Sequence, residues 1–320
     1  MKRLLILLCC FCCFSVNAQI IACRDSVRDA YDFWLYLPDD YVEEPTPKPV
    51  VIFLHGRSLS GTDLTSVLRY GCLDALRRGR EIDAIVLAPQ TNNGWSPEKV
   101  MRIYDWTRRH YAVDTARLYV LGMSMGGYGT MDFVATYPDK VAAAMALCGG
   151  CTKKDVCGLN EVPLWIVHGT ADTAVPVSQS EKVVNDMIQC GDTSLLRFDK
   201  MKGVQHGTLA RIFYLEQTYD WLFSHALTDS VRQVNKEYDM SRSVLQSAYS
   251  DLVRNQTLKL IDARPRKSGA SSKIQYHIVK NGDTLSSIAK KHKTTVSKLC
   301  QLNRITEAGV LRVGQRVRVK

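Results

Sequence analysis

The sequence predicts an α/β fold in which a mostly parallel sheet is covered by helices on both faces, followed by a small second domain. Strand-like apolar runs alternate with helical ones between Tyr31 and Phe223, as in a parallel sheet. Polar residues follow several of these runs directly. Beyond Phe223 the pattern changes and the chain ends in a basic tail. The 320 residues therefore suffice for one large and one small domain.

Each predicted strand is an apolar run, and each predicted helix repeats apolar residues at three- or four-residue spacing. The strands are expected at residues 32–37, 49–54, 85–89, 118–121, 142–147, 164–167 and 195–198. The helices are expected at residues 62–78, 97–111, 128–137, 178–188 and 209–223. Ligands bind at the carboxyl ends of the strands in such sheets, and the motifs described below lie there.

Residues 1–18 have the pattern of a secretory signal peptide. Two basic residues precede an apolar run, Leu4 to Phe14, that is too short to span a bilayer, and Ala18 ends a cleavage site. The alternative is a lipoprotein signal, because Ile20-Ile-Ala-Cys23 resembles a lipobox. We favour cleavage after Ala18 because the apolar run ends well before Cys23. No later segment is apolar enough to cross a membrane, so we expect a periplasmic or cell-surface protein.

Export bears on the eleven cysteines, four of which lie in the signal. The others are Cys23, Cys72, Cys148, Cys151, Cys157, Cys190 and Cys300. Exported proteins can form disulfides, and we expect one bridge among the cysteines at 148, 151 and 157, with at least one thiol left over. A redox or zinc role for the Cys-Gly-Gly-Cys pair at 148–151 is weaker, because no second pair or histidine cluster completes a site. We therefore expect no metal.

Charge is unevenly distributed along the chain. The formal net charge is +10, but residues 264–320 alone carry fourteen Lys and Arg against two acidic residues. The net charge of residues 19–263 is −4. The basic tail would attract an anionic surface such as a cell-wall polymer, and nucleic acid equally. Export argues against nucleic acid as a partner.

The segment 227–275 is expected to connect a large domain at 19–226 to a small one at 276–320. Apolar residues between Val231 and Leu252 have near-heptad spacing, which predicts a helix lying against the large domain. The alternative for this helix is a partner or dimer contact. Residues 264–273 resemble a flexible basic linker.

One turn carries the strongest chemical signal. The strand at 118–121 leads into Gly122-Met-Ser-Met-Gly-Gly127 and then into a helix. Gly-x-Ser-x-Gly between a strand and a helix holds the serine, here Ser124, on a sharp turn at the helix N-terminus, where the helix dipole favours negative charge. The motif alone is weak evidence, so a base, an acid and an oxyanion site must accompany it.

Asp172 is the expected acid, because it follows the strand at 164–167 in the chain order Ser, Asp, His. Its alternative role is that of a turn residue or helix cap. Asp192 and Asp199 are poorer candidates, since one precedes the next strand and the other lies at that strand's end.

His206 is the expected base, because it lies in a loop between the last strand and the last helix, where a base can reach the serine. The alternative is a structural role for this histidine. The other histidines fit less well. His55 and His168 follow strands, His110 and His225 belong to helices, and His277 and His292 belong to the tail.

The oxyanion of an acyl-transfer intermediate needs two N–H donors aimed at it. We expect one from Met125, directly after the serine, and the other from Arg57 in the loop that follows the strand at 49–54. Only the backbone of Arg57 is required for this role. Its side chain would meet an acidic substrate or remain solvated.

Together these motifs resemble the α/β-hydrolase superfamily over roughly residues 30–225. The motifs are Leu54-His-Gly56, Gly122–Tyr128, His168-Gly-Thr-Ala-Asp172, Val175-Pro176 and Gly203-Val-Gln-His206. The segment 113–122, Val-Asp-Thr-Ala-Arg-Leu-Tyr-Val-Leu-Gly, is typical of extracellular esterases related to polyhydroxybutyrate depolymerases, feruloyl esterases and predicted prolyl-oligopeptidase-like peptidases. The resemblance implies a serine acyl-enzyme and no cofactor, and it is not specific for substrate. The cysteine-bearing segment 148–157 departs from the family pattern.

The tail is similar to a LysM domain over its whole length. The resemblance rests on Tyr276–Lys290, Thr294–Leu299, Leu302-Asn303 and Leu311–Val317. It implies a strand–helix–helix–strand unit that binds N-acetylglucosamine glycans, peptidoglycan above all. The implied contacts are Gly282, Asp283, Thr284, Asn303, Arg304 and Ile305. For Asp283 and Asn303, helix capping is an equal alternative.

The sequence therefore predicts an exported serine hydrolase that cleaves a carboxylic ester and is tethered to cell-wall glycan by its tail. An acyl or acetyl group on a polysaccharide would suit the tether. One alternative is a serine peptidase with the same triad. The other is a wall-binding protein whose larger domain is inactive.

Overall fold

The computed structural model describes residues 18–43, 46–252, 258–262, 276–303, 311 and 314–319. The chain divides into two units, residues 1–263 and 264–320. Apart from Ala18, the expected signal peptide lies outside the described residues, as does the basic linker at 264–273. Within the described ranges, no helix has the length and apolar character needed to cross a membrane.

A mostly parallel sheet forms the centre of the first unit. Its strands in the described residues are β1 (Gln19–Cys23), β2 (Phe33–Leu37), β3 (Lys48–Leu54), β4 (Ile85–Pro89), β5 (Val113–Met123), β6 (Ala143–Leu147), β7 (Leu164–Gly169), β8 (Leu196–Met201) and β9 (Lys259–Ile261). Their order across the sheet is β8-β7-β6-β5-β3-β4-β2-β1-β9. Strands β3 to β8 are parallel, whereas β2 is antiparallel to both β1 and β4.

Helices cover both faces of this sheet, which confirms the predicted α/β class. They are α1 (Asp39–Glu43), α2 (Cys72–Arg77), α3 (Pro97–His110), α4 (Met125–Thr136), α5 (Ser178–Cys190), α6 (Glu216–Phe223) and α7 (Arg242–Ser247). Alternate residues of β3 divide between two apolar layers: Val51 and Phe53 belong to one, and Val50, Ile52 and Leu54 to the other. A strand buried on both faces explains why its sequence is continuously apolar.

The helix predicted over residues 62–78 is interrupted. A 3₁₀ turn, Leu64–Arg69, precedes α2, and Gly71 separates them with φ +93°. A Cβ on Gly71 would lie 2.1 Å from the ring of Phe53. The close approach to a core aromatic ring therefore needs glycine here, and its positive φ separates the 3₁₀ turn from α2.

The helix predicted over residues 209–223 is also divided. A 3₁₀ stretch, His206–Tyr214, precedes α6. The carbonyl of Tyr214 accepts two hydrogen bonds from the buried guanidinium of Arg80, at 2.9 and 2.7 Å. The Tyr214 carbonyl, where the 3₁₀ stretch ends, is thus hydrogen-bonded to Arg80 from another part of the chain.

The segment 227–262 differs from the connector we expected. In its described residues only α7 is an α-helix, and β9 pairs with β1 in the large sheet. The guanidinium of Arg232 donates to the carbonyls of Glu161, Val141 and Ala142, which fixes a non-helical stretch against the first unit. In the structure the first unit extends to residue 263, whereas we expected the large domain to end at 226. The apolar residues of this spacing from Val234 to Leu252 pack on this body without forming one continuous helix, whereas Val231 is exposed.

The disulfide also differs from the one we expected. Cys157 is bonded to Cys190 at the end of α5, with the two Cα atoms 5.2 Å apart. Cys148 is buried at the end of β6, and the thiol of Cys151 donates to Asp132 at 3.2 Å. The partner of Cys157 is 33 residues away in the chain, so it lay outside the short loop we considered.

The second unit has the predicted strand–helix–helix–strand order. Its described elements are β10 (Tyr276–Ile278), α8 (Leu285–Lys291), α9 (Val296–Asn303) and β11 (Arg316–Arg318). The two strands pair antiparallel, and Thr284 and Ser287 form a capping box at the start of α8. The small apolar core is built from Val279, Leu285, Ile288, Ala289, Leu299, Val317 and Val319.

Candidate active site

Ser124 lies on the sharp turn between β5 and α4. Its backbone has φ +60° and ψ −122°, a strained conformation for a residue with a side chain. Two glycines make the turn possible. A Cβ at Gly126 would lie 1.8 Å from the carbonyl oxygen of Leu54, and one at Gly122 would lie 2.4 Å from that of Gly126. The motif therefore has the spacing that this turn requires.

Hydrogen bonds hold the serine backbone on both sides. The N–H of Ser124 donates to Leu147 at the end of β6 over 2.8 Å, and its carbonyl accepts from Tyr128 over 3.0 Å. The second bond is the first of α4, so Ser124 lies at that helix's N-terminus. A negative charge forming on its oxygen is stabilised there by the helix dipole.

Asp172 and His206 lie in hydrogen-bonding contact. Nδ1 of His206 is 2.6 Å from Oδ2 of Asp172, a carboxylate with no exposed side-chain surface. The other carboxylate oxygen accepts the N–H groups of Ala174 and Val175, each at 2.9 Å. The turn after β7 thus fixes the carboxylate, and the carboxylate fixes the tautomer and orientation of the imidazole.

Ser124 and His206 line the same cavity, of about 970 Å³. Since Nδ1 of His206 bonds the carboxylate, Nε2 is the nitrogen left to accept a proton from a hydroxyl. The cavity is also lined by Tyr70, Trp95, Tyr128, Gly129, Asp132, Thr152 and Val175. Ser124 and His206 thus line one cavity, and His206 in turn contacts Asp172. That the three side chains act together as nucleophile, acid and base stays a prediction.

Arg57 and Met125, the predicted oxyanion donors, line this cavity as well. Each begins a helical turn, so its N–H has no acceptor within that turn. The loop that carries Arg57 is held by Tyr70, whose hydroxyl accepts the N–H of Gly56 at 3.1 Å. Nothing in the sequence pattern pointed to Tyr70, because the contact spans fourteen residues.

Two other histidines, which follow strands in the sequence, bond the backbone in the structure. His55 Nδ1 is 2.8 Å from the carbonyl of Gly56, and its Nε2 accepts from the N–H of Thr91. Burial lowers the pKa of His55 to about 4. Nε2 of His168 lies 2.9 Å from the carbonyl of Val175, and burial lowers its pKa also. Both rings therefore stay neutral near pH 7.

The structure also reveals a buried carboxylate that the sequence did not suggest. Asp132 on α4 accepts from the N–H and hydroxyl of Thr152 at 2.7 and 2.6 Å, and from the thiol of Cys151. It ties the loop after β6 to the helix that follows the nucleophile. A helix residue facing a distant loop leaves no local signal in the sequence.

Two residues of the candidate triad form a group of possible metal ligands with Cys148. The ligand atoms of Cys148, Asp172 and His206 lie within 4.8 Å of one another. However, the carboxylate of Asp172 already accepts from two N–H groups and from the imidazole. Burial raises the pKa of the Cys148 thiol well above its usual range, which disfavours the thiolate a metal would need. The group therefore suits a hydrogen-bonded triad better than a cation.

The predicted glycan contacts of the second unit are partly described. Gly282 has φ +86°, and the carboxylate of Asp283 bonds Nε2 of His277 and the N–H of Lys280. Thr284 caps α8, and Asn303 bonds both backbone groups of Arg318. These side chains have internal structural roles, so their contact with glycan stays a prediction. Arg304 and Ile305 lie outside the described residues.

Residues 277–320 match the family model described as LysM domain. The C-terminal unit is a LysM domain. Two curated relatives match shorter parts of the chain. A bifunctional acetylxylan esterase/xylanase from Neocallimastix patriciarum is 35% identical over 98 residues, and acetylxylan esterase A from Emericella nidulans is 38% identical over 63. These matches cover 28% and 19% of this chain but only 14% and 21% of the relatives.

Solved structures resemble the first unit. A thermostable esterase is 26% identical with a TM-score of 0.51, covering 61% of this chain and 59% of its own. A feruloyl esterase module from Clostridium thermocellum is 15% identical with a TM-score of 0.51, covering 69% and 92%. With the strand order described above, these neighbours show that the first unit has the α/β-hydrolase fold.

Proposed function

We propose that the first unit is a serine hydrolase that cleaves carboxylic esters through an acyl-enzyme. The observation that carries this proposal is the 2.6 Å contact of His206 with the buried Asp172, in a site where the imidazole and Ser124 line one cavity. A serine at the start of a helix is a weak nucleophile until a neighbouring base takes its proton. Nε2 of His206 is that base.

In the first half-reaction, the hydroxyl oxygen of Ser124 attacks the ester carbonyl while its proton moves to Nε2 of His206. The carbonyl oxygen gains a negative charge, which the N–H groups of Arg57 and Met125 stabilise. Asp172 stabilises the imidazolium. The bond to the alcohol oxygen then breaks, and that oxygen takes the proton from Nε2. Water repeats these steps on the acyl-serine and releases the acid.

The relatives and structural neighbours support ester chemistry over peptide hydrolysis, because their names are those of esterases. An acetyl group on xylan is the substrate class that the acetylxylan esterases suggest. The LysM domain supports binding to N-acetylglucosamine glycans, peptidoglycan above all. Together they support an esterase that is held near polysaccharide.

Export belongs to the same proposal, with cleavage after Ala18. Strand β1 begins at the next residue and pairs with β2 along its whole length. Cleavage before Cys23 would remove four residues of this strand, and the Cys23 side chain is buried in the core. Of these two cleavage points, the one after Ala18 therefore leaves β1 intact, which supports it over the lipoprotein signal.

Hydrolysis assays on the full chain test the proposal. We expect release of acetate from acetylated xylan and from p-nitrophenyl acetate, both abolished in Ser124→Ala, with no cleavage of short peptide anilides. Faster turnover of the anilides would favour the peptidase, and no turnover of any substrate would favour an inactive wall-binding protein. Glycan binding by the LysM domain is tested independently of catalysis by retention on insoluble peptidoglycan. The wild type and the Ser124→Ala variant should both be retained.

A further inference from the structure

A second cavity lies beside the active-site cavity. Its volume is about 570 Å³, and both cavities are lined by the segment Asn92–Trp95 between β4 and α3. Both volumes fall in the range of small-molecule sites, about 300–1,000 Å³. The second cavity contains none of the catalytic residues, so the proposed reaction does not explain it.

The segment shared by the two cavities is held rigidly from both sides. Thr91 donates its N–H to Nε2 of His55 at 3.1 Å and its hydroxyl to the carbonyl of Gly94 at 2.6 Å. Tyr31 donates to the same carbonyl at 3.3 Å and accepts the N–H of Ser96 at 2.8 Å. The indole N–H of Trp95 donates to the carbonyl of His55. The loop is therefore preorganised, which lowers the entropy cost of binding a ligand.

Two amides on this loop face solvent without a bonding role. Asn92 and Asn93 are exposed, and among the described residues their side chains make no hydrogen bond. Gln90, in contrast, donates to the carbonyls of Leu59 and Asp63 and is part of the framework. A rigid loop that leaves two amides unpaired between two cavities offers donors and acceptors to a ligand lying across both.

The remaining lining suits a neutral, polar molecule with an apolar face. Trp95 and Tyr31 are half-buried and pack edge to face, with ring centroids 5.3 Å apart. The charged groups are Lys99 and Asp32, one of each sign. The ammonium of Lys99 lies 5.4 Å from the centre of the Tyr31 ring, and the carboxylate of Asp32 accepts the N–H of Asp25. Each of the two charged groups thus has a partner within the protein. Because their charges are opposite, the lining of the second cavity has no net charge that would favour an ionic ligand.

We propose that this second cavity binds a sugar residue of the substrate's alcohol portion, next to the sugar that carries the acyl group. Hydroxyl groups of this sugar bond the amides of Asn92 and Asn93, and its C–H face packs on Trp95. The preferred substrate is then an ester on an oligosaccharide or polysaccharide and not a small ester. This inference rests on the proposed esterase function.

The test compares two esters in the full chain. The variant Asn92→Ala with Asn93→Ala removes both amides, and Asn185→Ala is the matched control, an exposed asparagine on α5 outside both cavities. We expect kcat/KM for acetylated xylohexaose to fall about tenfold more than kcat/KM for p-nitrophenyl acetate in the double variant, mainly through KM. The control should leave both values as in the wild type.

Binding gives a second readout that does not depend on turnover. In the Ser124→Ala background, unacetylated xylohexaose should bind about tenfold more weakly when both amides are removed, as measured by calorimetry. Suppose p-nitrophenyl acetate is cleaved, but the double variant changes neither the ratio of the two kcat/KM values nor the affinity for xylohexaose. The proposed sugar subsite is then wrong, whereas the proposed esterase function is unaffected. If no ester is cleaved by the wild type, both proposals fail.

Discussion

Nδ1 of His206 lies 2.6 Å from Oδ2 of Asp172, although the two residues are 34 positions apart in the sequence. The carboxylate is enclosed, and its second oxygen is occupied by two backbone N–H groups. Oδ2 also lies 3.5 Å from Nε2 of His168, but the contact with His206 is much the shorter of the two. This contact fixes which nitrogen of His206 is free to act as the base.

Asp172→Asn should preserve the fold but reduce kcat on p-nitrophenyl acetate by about 10³–10⁴-fold. The amide can still accept the two N–H groups of the turn, but it favours the wrong imidazole tautomer and cannot stabilise the imidazolium. Asp192→Asn is the matched control, because Asp192 is exposed and bonds only Ser194 among the described residues. A loss of less than about tenfold in Asp172→Asn would remove this aspartate from the mechanism.

Gly126→Ala should destabilise the first unit by more than about 3 kcal/mol, because the new Cβ meets backbone that cannot move away. The nearest atom is the carbonyl oxygen of Leu54, at 1.8 Å. Gly207→Ala is the control, since its Cβ would have no neighbour within 4 Å. Chemical denaturation of both variants measures the difference. Equal stability would show that the turn after β5 is looser than described.

Some features of the fold and the candidate site could be predicted from the sequence, and others could not. Ser124, Asp172 and His206 could be predicted as a candidate triad because each follows a strand whose apolar run is visible, and parallel strands bring their carboxyl ends together. The break at Gly71 was not accessible, since it depends on a ring that packs from another element. Residues such as Tyr70 and Asp132 act through contacts between distant segments, and these leave no local periodicity.

The stability of the first unit should fall as the pH drops from about 6.5 to about 4, in part because of His55. Burial lowers the pKa of His55 from 6.5 to about 4, so the folded state favours the neutral ring. The resulting stabilisation is complete above pH 6.5 and is lost on going down to about pH 4, on the order of 3 kcal/mol. His55→Gln should show a shallower decline in urea denaturation over this range. If the free energy of unfolding falls equally steeply with pH in the wild type and in His55→Gln, the lowered pKa of His55 does not contribute to the decline.

Cys190→Ser should lower the free energy of unfolding by about 3–4 kcal/mol, the loss expected for a loop of this length. The bridge to Cys157 closes a sequence separation of 33 residues. Cys151→Ser is the control, because that thiol is free and should leave the bridge intact. Peptide mapping of the wild type without reduction should recover a peptide pair in which Cys157 is linked to Cys190. A bridge between 157 and either 148 or 151 would restore the pairing we first expected.

Labelling with a fluorophosphonate tests the central claim most directly, because the probe phosphonylates a serine whose hydroxyl is activated by a neighbouring base. After incubation of the full chain, intact-mass analysis should show one adduct, and peptide mapping should locate it on Ser124. The Ser124→Ala variant should remain unlabelled under the same conditions. A folded wild-type chain that takes up no probe, or a variant that is still labelled, would contradict the account.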